Sequence, residues 1–210
     1  MSEAKHLFDT VEDALAAFKN GEFLIVLDDE SRENEGDLII AAEQITTEKM
    51  AFLVKHSSGY VCAPLTNEIA DRLKLPLMVP RGDDLHKTAY TVTCDFKEGT
   101  STGISAHDRA LTSRKLADPT TQASQFNRPG HLCPLRADDG GVVARQGHTE
   151  AAVDLCRLTG QAPVGVICEV VRDSDGLMSR RDDCLEFAKA HNIKVITIEQ
   201  LVNHIKSRKN

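Results

Sequence analysis

The chain has no excess of positive charge: 25 Lys and Arg stand against 32 Asp and Glu in 210 residues, a formal charge of −7. A general nucleic-acid binder needs a basic face to displace phosphate counterions, so no nucleic-acid partner is expected. Long apolar runs are missing too. The N-terminal stretch has no apolar segment of secretory length, and runs such as Val164 to Cys168 are far too short to cross a bilayer. A soluble, cytoplasmic protein without membrane contact is expected. The six cysteines include no CxxC pair and are widely spread, which argues against a metal clip or disulfide framework and for reduced, mostly buried thiols. Cys62 alone stays open, because it lies between Gly59-Tyr60 and Pro64, where a strand can end at a cleft. There is no Pro/Ser/Gly-rich linker and no internal repeat, so residues 1–210 are read as a single domain. A Walker loop, a G-x-G-x-x-G and a G-x-S-x-G are all absent.

What is present is globular in composition, with 41% hydrophobic and 27% charged residues. Thr10 caps a first helix whose stripe is Val11, Leu15 and Phe18, and Asn20-Gly21 stops it. Further helices are expected at about 47 to 57, 67 to 74, 106 to 117, 150 to 159, 180 to 191 and 199 to 207, the last opened by a Thr197 to Gln200 capping box. Strands are expected at about 22 to 27, 37 to 42, 60 to 63, 89 to 96, 132 to 136, 164 to 171 and 193 to 198. Their irregular interleaving predicts a mixed α/β fold, a mixed twisted β-sheet covered by helices in layers. The polar stretch from Asp118 to Gly130 reads as a functional loop or lid.

Chemistry concentrates in a few places. From Asp28 to Asp37, six carboxylates occupy ten positions between two apolar strand segments. Such crowding is costly unless a cation or substrate balances it. A solvated acidic loop is the plain alternative, but the run sits at the tip of a strand pair, where Gly36 permits a tight turn. It does not fit an EF-hand; an oxygen-rich, incompletely filled site for Mg²⁺ or Mn²⁺ does fit. From Gly140 to Glu150, glycines lead into a helix capped by Thr149, whose free amides beside Arg145 and His148 make a phosphate seat. The HTE triplet there lacks the cysteine partner of a zinc deaminase.

Glu169 is embedded in an apolar strand; facing inward it suits general acid–base work, and facing solvent on an edge strand it is structural, with period alone favouring neither. His131 follows a Pro-Gly turn at a strand start. The hydroxyl-rich segment from Thr100 to Arg109 suits an oxyanion or an ordinary helix cap equally. His86, His107, His191 and His204 read as surface or packing residues. The residues alone also leave open a metal-dependent phosphohydrolase and a binding protein of similar architecture.

Taken together, DDESRENEGDLIIAAE, STGISAHDRA, FNRPGHLCPL and RQGHTEAAVDL, in this order and spacing, resemble the 3,4-dihydroxy-2-butanone 4-phosphate synthase family of riboflavin biosynthesis, over nearly the whole chain. The resemblance implies a monofunctional lyase, usually a homodimer, converting D-ribulose 5-phosphate to 3,4-dihydroxy-2-butanone 4-phosphate and formate through enediolate formation, dehydration, skeletal rearrangement and loss of C4. It implies Mg²⁺ or Mn²⁺, two ions per site, with Glu33 and His148 as ligands. Arg32, Glu33, Asp37, Glu169 and the turn of Arg145, Gln146, Gly147, His148 and Thr149 become substrate contacts, and His131 and Glu169 the essential catalytic pair. Cys62, Thr102, Ser105, Asp28 and Glu35 fall where the family lines its site.

Overall fold

The computed structural model describes residues 7–208. Helix α1 (Val11–Lys19) starts where the Thr10 hydroxyl accepts the Asp13 N–H at 3.1 Å, and buries Val11, Ala14 and Phe18. It feeds strand β1 (Leu24–Leu27), which returns through the acidic loop as β2 (Gly36–Ala41). There follow α2 (Thr47–Lys55), β3 (Cys62–Leu65), α3 (Asn67–Arg72), β4 (Cys94–Phe96), α4 (Ala106–Ala117), β5 (Phe126–Arg136), α5 (His148–Leu158), β6 (Gly165–Glu169), α6 (Arg181–His191), β7 (Lys194–Thr197) and α7 (Ile198–Ser207).

The strands form one seven-stranded sheet in the order β4-β5-β3-β6-β2-β1-β7. Pairing is mixed, parallel for β1–β7 and β3–β5 and antiparallel elsewhere. Residues of β1, β2 and β3 are buried on both faces, which is why those segments read as unbroken apolar runs. Alternate residues serve separate cores. Val26, Ile39, Cys62, Cys133 and Ile167 pack under α1, α5 and α7, whereas Ile25, Leu38, Ile40, Val166 and Cys168 pack under α2, α3, α4 and α6. The result is a single α/β domain of helix, sheet and helix layers, as expected.

Four local expectations change. The 89–96 strand is regular only from Cys94, because Tyr90 and Thr91 make single bridges to Leu135 and Leu77 rather than a ladder. The polar stretch before Gly130 is not wholly loop: β5 begins at Phe126, and its first half is polar because Asn127, Arg128 and Pro129 face solvent beside the edge strand. Helix α5 begins at His148 with Gly147 as its cap, so Thr149 lies buried inside the first turn instead of capping it. In the acidic loop the left-handed residue is Asn34, with φ 55°. Gly36 is instead an extended strand residue, glycine because a Cβ there would lie 2.6 Å from Cys184 Sγ and 2.9 Å from Leu27 Cδ2.

Candidate active site

The acidic loop is organised by one of its own carboxylates. The Asp28 side chain is fully buried; its Oδ2 accepts the Glu33 N–H at 3.1 Å and the Arg32 guanidinium at 2.9 Å, and its Oδ1 accepts the Glu35 N–H at 2.9 Å. These bonds turn the chain between β1 and β2, and Arg32 also pairs with the Glu33 carboxylate. Asp28 therefore shapes the loop, and the Glu33 carboxylate, held beside it by the same Arg32 nitrogen, faces the start of α5.

There the side chain of His148 meets it. Its Nε2 lies 3.1 Å from the Val26 carbonyl, which can only accept, so Nε2 carries a proton and Nδ1 is the nitrogen available for coordination. Nδ1 lies 3.7 Å from Glu33 Oε2 and 3.7 Å from Asp37 Oδ1. Both distances exceed hydrogen-bond reach. Asp37 Oδ1 is buried with no hydrogen-bond partner, and ligand atoms of Asp28, Glu33 and His148 fall within 4.8 Å of one another. An orphaned buried carboxylate oxygen facing an imidazole across such a gap fits a hard divalent cation held by few protein atoms.

The charges of these groups are interdependent. The imidazole and then Arg32 hold the Glu33 carboxyl down at about 2, against its burial. Burial pushes Asp37 up to about 7, with Glu169, Glu33 and Glu35 adding repulsion. Burial disfavours the charged imidazole of His148, but Asp37, Glu33 and Asp28 outweigh it and raise the group to about 9. Glu35 is raised by burial and by Glu33 and Glu169. The chain thus assembles a proton-sharing acidic cluster around one imidazole.

Glu169 joins the same row. It stands opposite Asp37, which stands opposite Val26, across β6, β2 and β1. Strand β6 is central rather than an edge strand, and Glu169 is half-buried, its Oε2 accepting the Ser58 hydroxyl at 2.6 Å. Cys62 is buried in register with Cys133 and Ile167, two residues along from this row, and all six cysteines are free and buried.

The other candidates have separate settings. His131 belongs to β5, which β3 and β6 separate from Asp37 on β2, while Glu169 stands beside Ser58, because the single Ser57–Val170 bridge is shifted from the Cys62–Ile167 register. Arg145 turns its guanidinium onto buried Glu150 at 2.6 Å and onto the His86 carbonyl at 3.0 Å. Gln146 lines a cavity of about 760 Å³ together with Asp28, Arg32 and Thr197, beside the acidic loop. Ser105 caps α4 by accepting the Asp108 N–H at 3.0 Å, and Thr102 is exposed. The sequence reading passed over Ser58, which carries no motif, and Asp95, whose place on the polar side of the 90–95 alternation was a usable signal.

A carboxylate–imidazole cluster at the tip of a strand pair, open to complete its coordination with a ligand, defines the class: an α/β enzyme assisted by a divalent cation. The comparisons narrow this. Residues 12–204 match the 3,4-dihydroxy-2-butanone 4-phosphate synthase family. The chain is 64% identical over 200 residues to the 3,4-dihydroxy-2-butanone 4-phosphate synthase of Schizosaccharomyces pombe, covering 95% of this chain and 98% of the relative. The crystal structure of the Candida albicans synthase superposes with a TM-score of 0.88 at 63% identity, covering 94% of this chain and 98% of that one. A synthase solved in complex with two magnesium ions superposes with a TM-score of 0.92 at 54% identity, covering 96% and 99%. The chain belongs to the 3,4-dihydroxy-2-butanone 4-phosphate synthase family, carbon–carbon lyases of riboflavin biosynthesis that act on D-ribulose 5-phosphate.

Proposed function

We propose that this chain converts D-ribulose 5-phosphate to 3,4-dihydroxy-2-butanone 4-phosphate and formate, with Mg²⁺ or Mn²⁺ held by Glu33 and His148 and with Asp37 at the same gap. The observation that carries the reading is the buried, unpartnered Asp37 Oδ1 facing His148 Nδ1 at 3.7 Å. A divalent cation there supplies Lewis-acid polarisation of the substrate's ketone and hydroxyl oxygens. The chain's residues do the rest. Arg32 and Asp37 orient the sugar hydroxyls. The first-turn amides of α5, which have no intrahelical acceptor, receive the phosphate with Arg145, Gln146, Gly147 and Thr149. Glu169, steadied by Ser58, and His131 move protons at the reacting carbons. Cys62 and Glu35 line the same site.

The separation of His131 from the acidic row supports a homodimer, with each site completed across a subunit boundary, and the composition supports a cytoplasmic setting. Among the described residues no helix is long and apolar enough to cross a membrane. The deciding experiment is to incubate purified protein with ribulose 5-phosphate, with and without a chelator, and assay formate. Metal-dependent formate release is the expected result; release of inorganic phosphate without formate would replace this reading with a phosphohydrolase.

A further inference from the structure

The ladder between β4 and β5 breaks just at His131. Cys94 pairs with Leu132, but the next residue, Asp95, pairs with Asn127, so residues 128–131 are extra on the β5 side. Their backbone is caught by side chains from the β4 side: Thr93 Oγ1 accepts the Gly130 N–H at 3.0 Å, and Asp95 Oδ1 accepts the His131 N–H at 2.8 Å. The second oxygen, Asp95 Oδ2, lies 2.7 Å from His131 Nδ1. The carboxylate is nearly buried, at 10% exposure, whereas the imidazole is 42% exposed. Irregularities of this kind re-aim side chains beside functional sites.

The hydroxyl-rich turn closes over this bond. A Cβ on Gly103 would collide with Asp95 Oδ2 and come 2.5 Å from His131 Nδ1, and Gly103 has φ 98°. Only glycine brings backbone that close in that conformation. The turn is held in place by Asp108 Oδ2, which accepts the Gly103 N–H at 2.9 Å and the Ser101 hydroxyl at 2.8 Å.

We propose that Asp95 is the positioning residue for His131: it fixes the imidazole in the Nδ1–H tautomer and presents an unprotonated Nε2 outward as the base. This rests on the reading of His131 as a proton handler. When the C–H bond breaks, its proton forms the Nε2–H bond, the electron pair stays on the substrate, and Asp95 balances the imidazolium charge. A merely structural Asp95 would need only to accept the His131 N–H. Asparagine does that equally well, but its amide NH₂ would then face Nδ1 and force the opposite tautomer.

The test joins imidazole ¹⁵N spectroscopy, assigned with His131→Gln, to steady-state formate kinetics. In the unsubstituted protein neutral His131 is expected as the Nδ1–H tautomer; finding Nε2–H overturns the proposal without any variant having to fold. In Asp95→Asn the tautomer is expected to reverse and kcat to fall about 100-fold, with KM within roughly twofold. Unchanged kcat in folded Asp95→Asn, alongside an inactive His131→Gln, overturns the positioning role alone. Full activity in His131→Gln overturns the proton-handling reading beneath it, and the proposal with it.

Discussion

His148 spends its Nε2 proton on the Val26 carbonyl and turns Nδ1 to two carboxylates, so its charge is governed by what occupies the gap. In metal-free protein the group stands at about 9, above the 6.5 of an unperturbed imidazole. Its contribution to stability is therefore fully present below about 6.5 and lost as pH rises through about 9. Glu33 runs the other way: held at about 2, its contribution is present above its ordinary 4.5 and lost as pH falls through about 2. Asp37, raised to about 7, prefers its proton in the fold, so its ionisation costs stability as pH climbs from 3.8 through 7. An NMR titration of the His148 imidazole in chelator is expected to give a midpoint near 9 that falls on adding Mg²⁺; a midpoint at or below 6.5 would contradict the cluster described here. Glu33→Gln and His148→Ala each take one ligand from the gap, and formate release is expected to drop at least about 100-fold, with a lower unfolding temperature in chelator as well because each removes a partner of the imidazole–carboxylate cluster.

At the level of elements, the acidic loop works because β1 and β2 hold its two ends in register and α6 packs beneath them. Gly36→Ala tests this: its methyl must displace Cys184 Sγ or Leu27 Cδ2, and denaturant unfolding is expected to show a loss of about 1–3 kcal/mol. Loss of activity beyond loss of folded protein would show the loop shifting with the strand. The acidic site was legible in the sequence because its carboxylates, its apolar flanks and the RQGHT turn are each local patterns. The sheet was legible for the same reason, since Leu24 to Leu27 and Leu38 to Ala41 can only be buried strands. Two kinds of feature were hidden. Gly147 caps α5 without a side chain, so a hydroxyl-cap pattern points to Thr149, two residues late. The Asp95–His131 bond joins residues 36 apart across an irregular strand pair, and no periodicity encodes a bulge.

For the whole molecule, the strand order sets where the two groups stand. The base belongs to β5 and the cation ligands to the β1–β2 tip and the start of α5, with β3 and β6 lying between β5 and β2. In the homodimer proposed above, His131 of one copy completes the cation site of the other. Complementation decides the point. Glu33→Gln and His131→Gln are expected to be nearly inactive alone, the first for want of a ligand and the second for want of a base. Unfolded together and refolded as an equimolar mixture, they form mixed dimers in which one site carries both lesions and the other carries neither. Random assortment makes half the dimers mixed, so about a quarter of the unsubstituted protein's formate-releasing activity should return. Sites contained within single chains would return none, since every copy in the mixture would still lack one of the two groups.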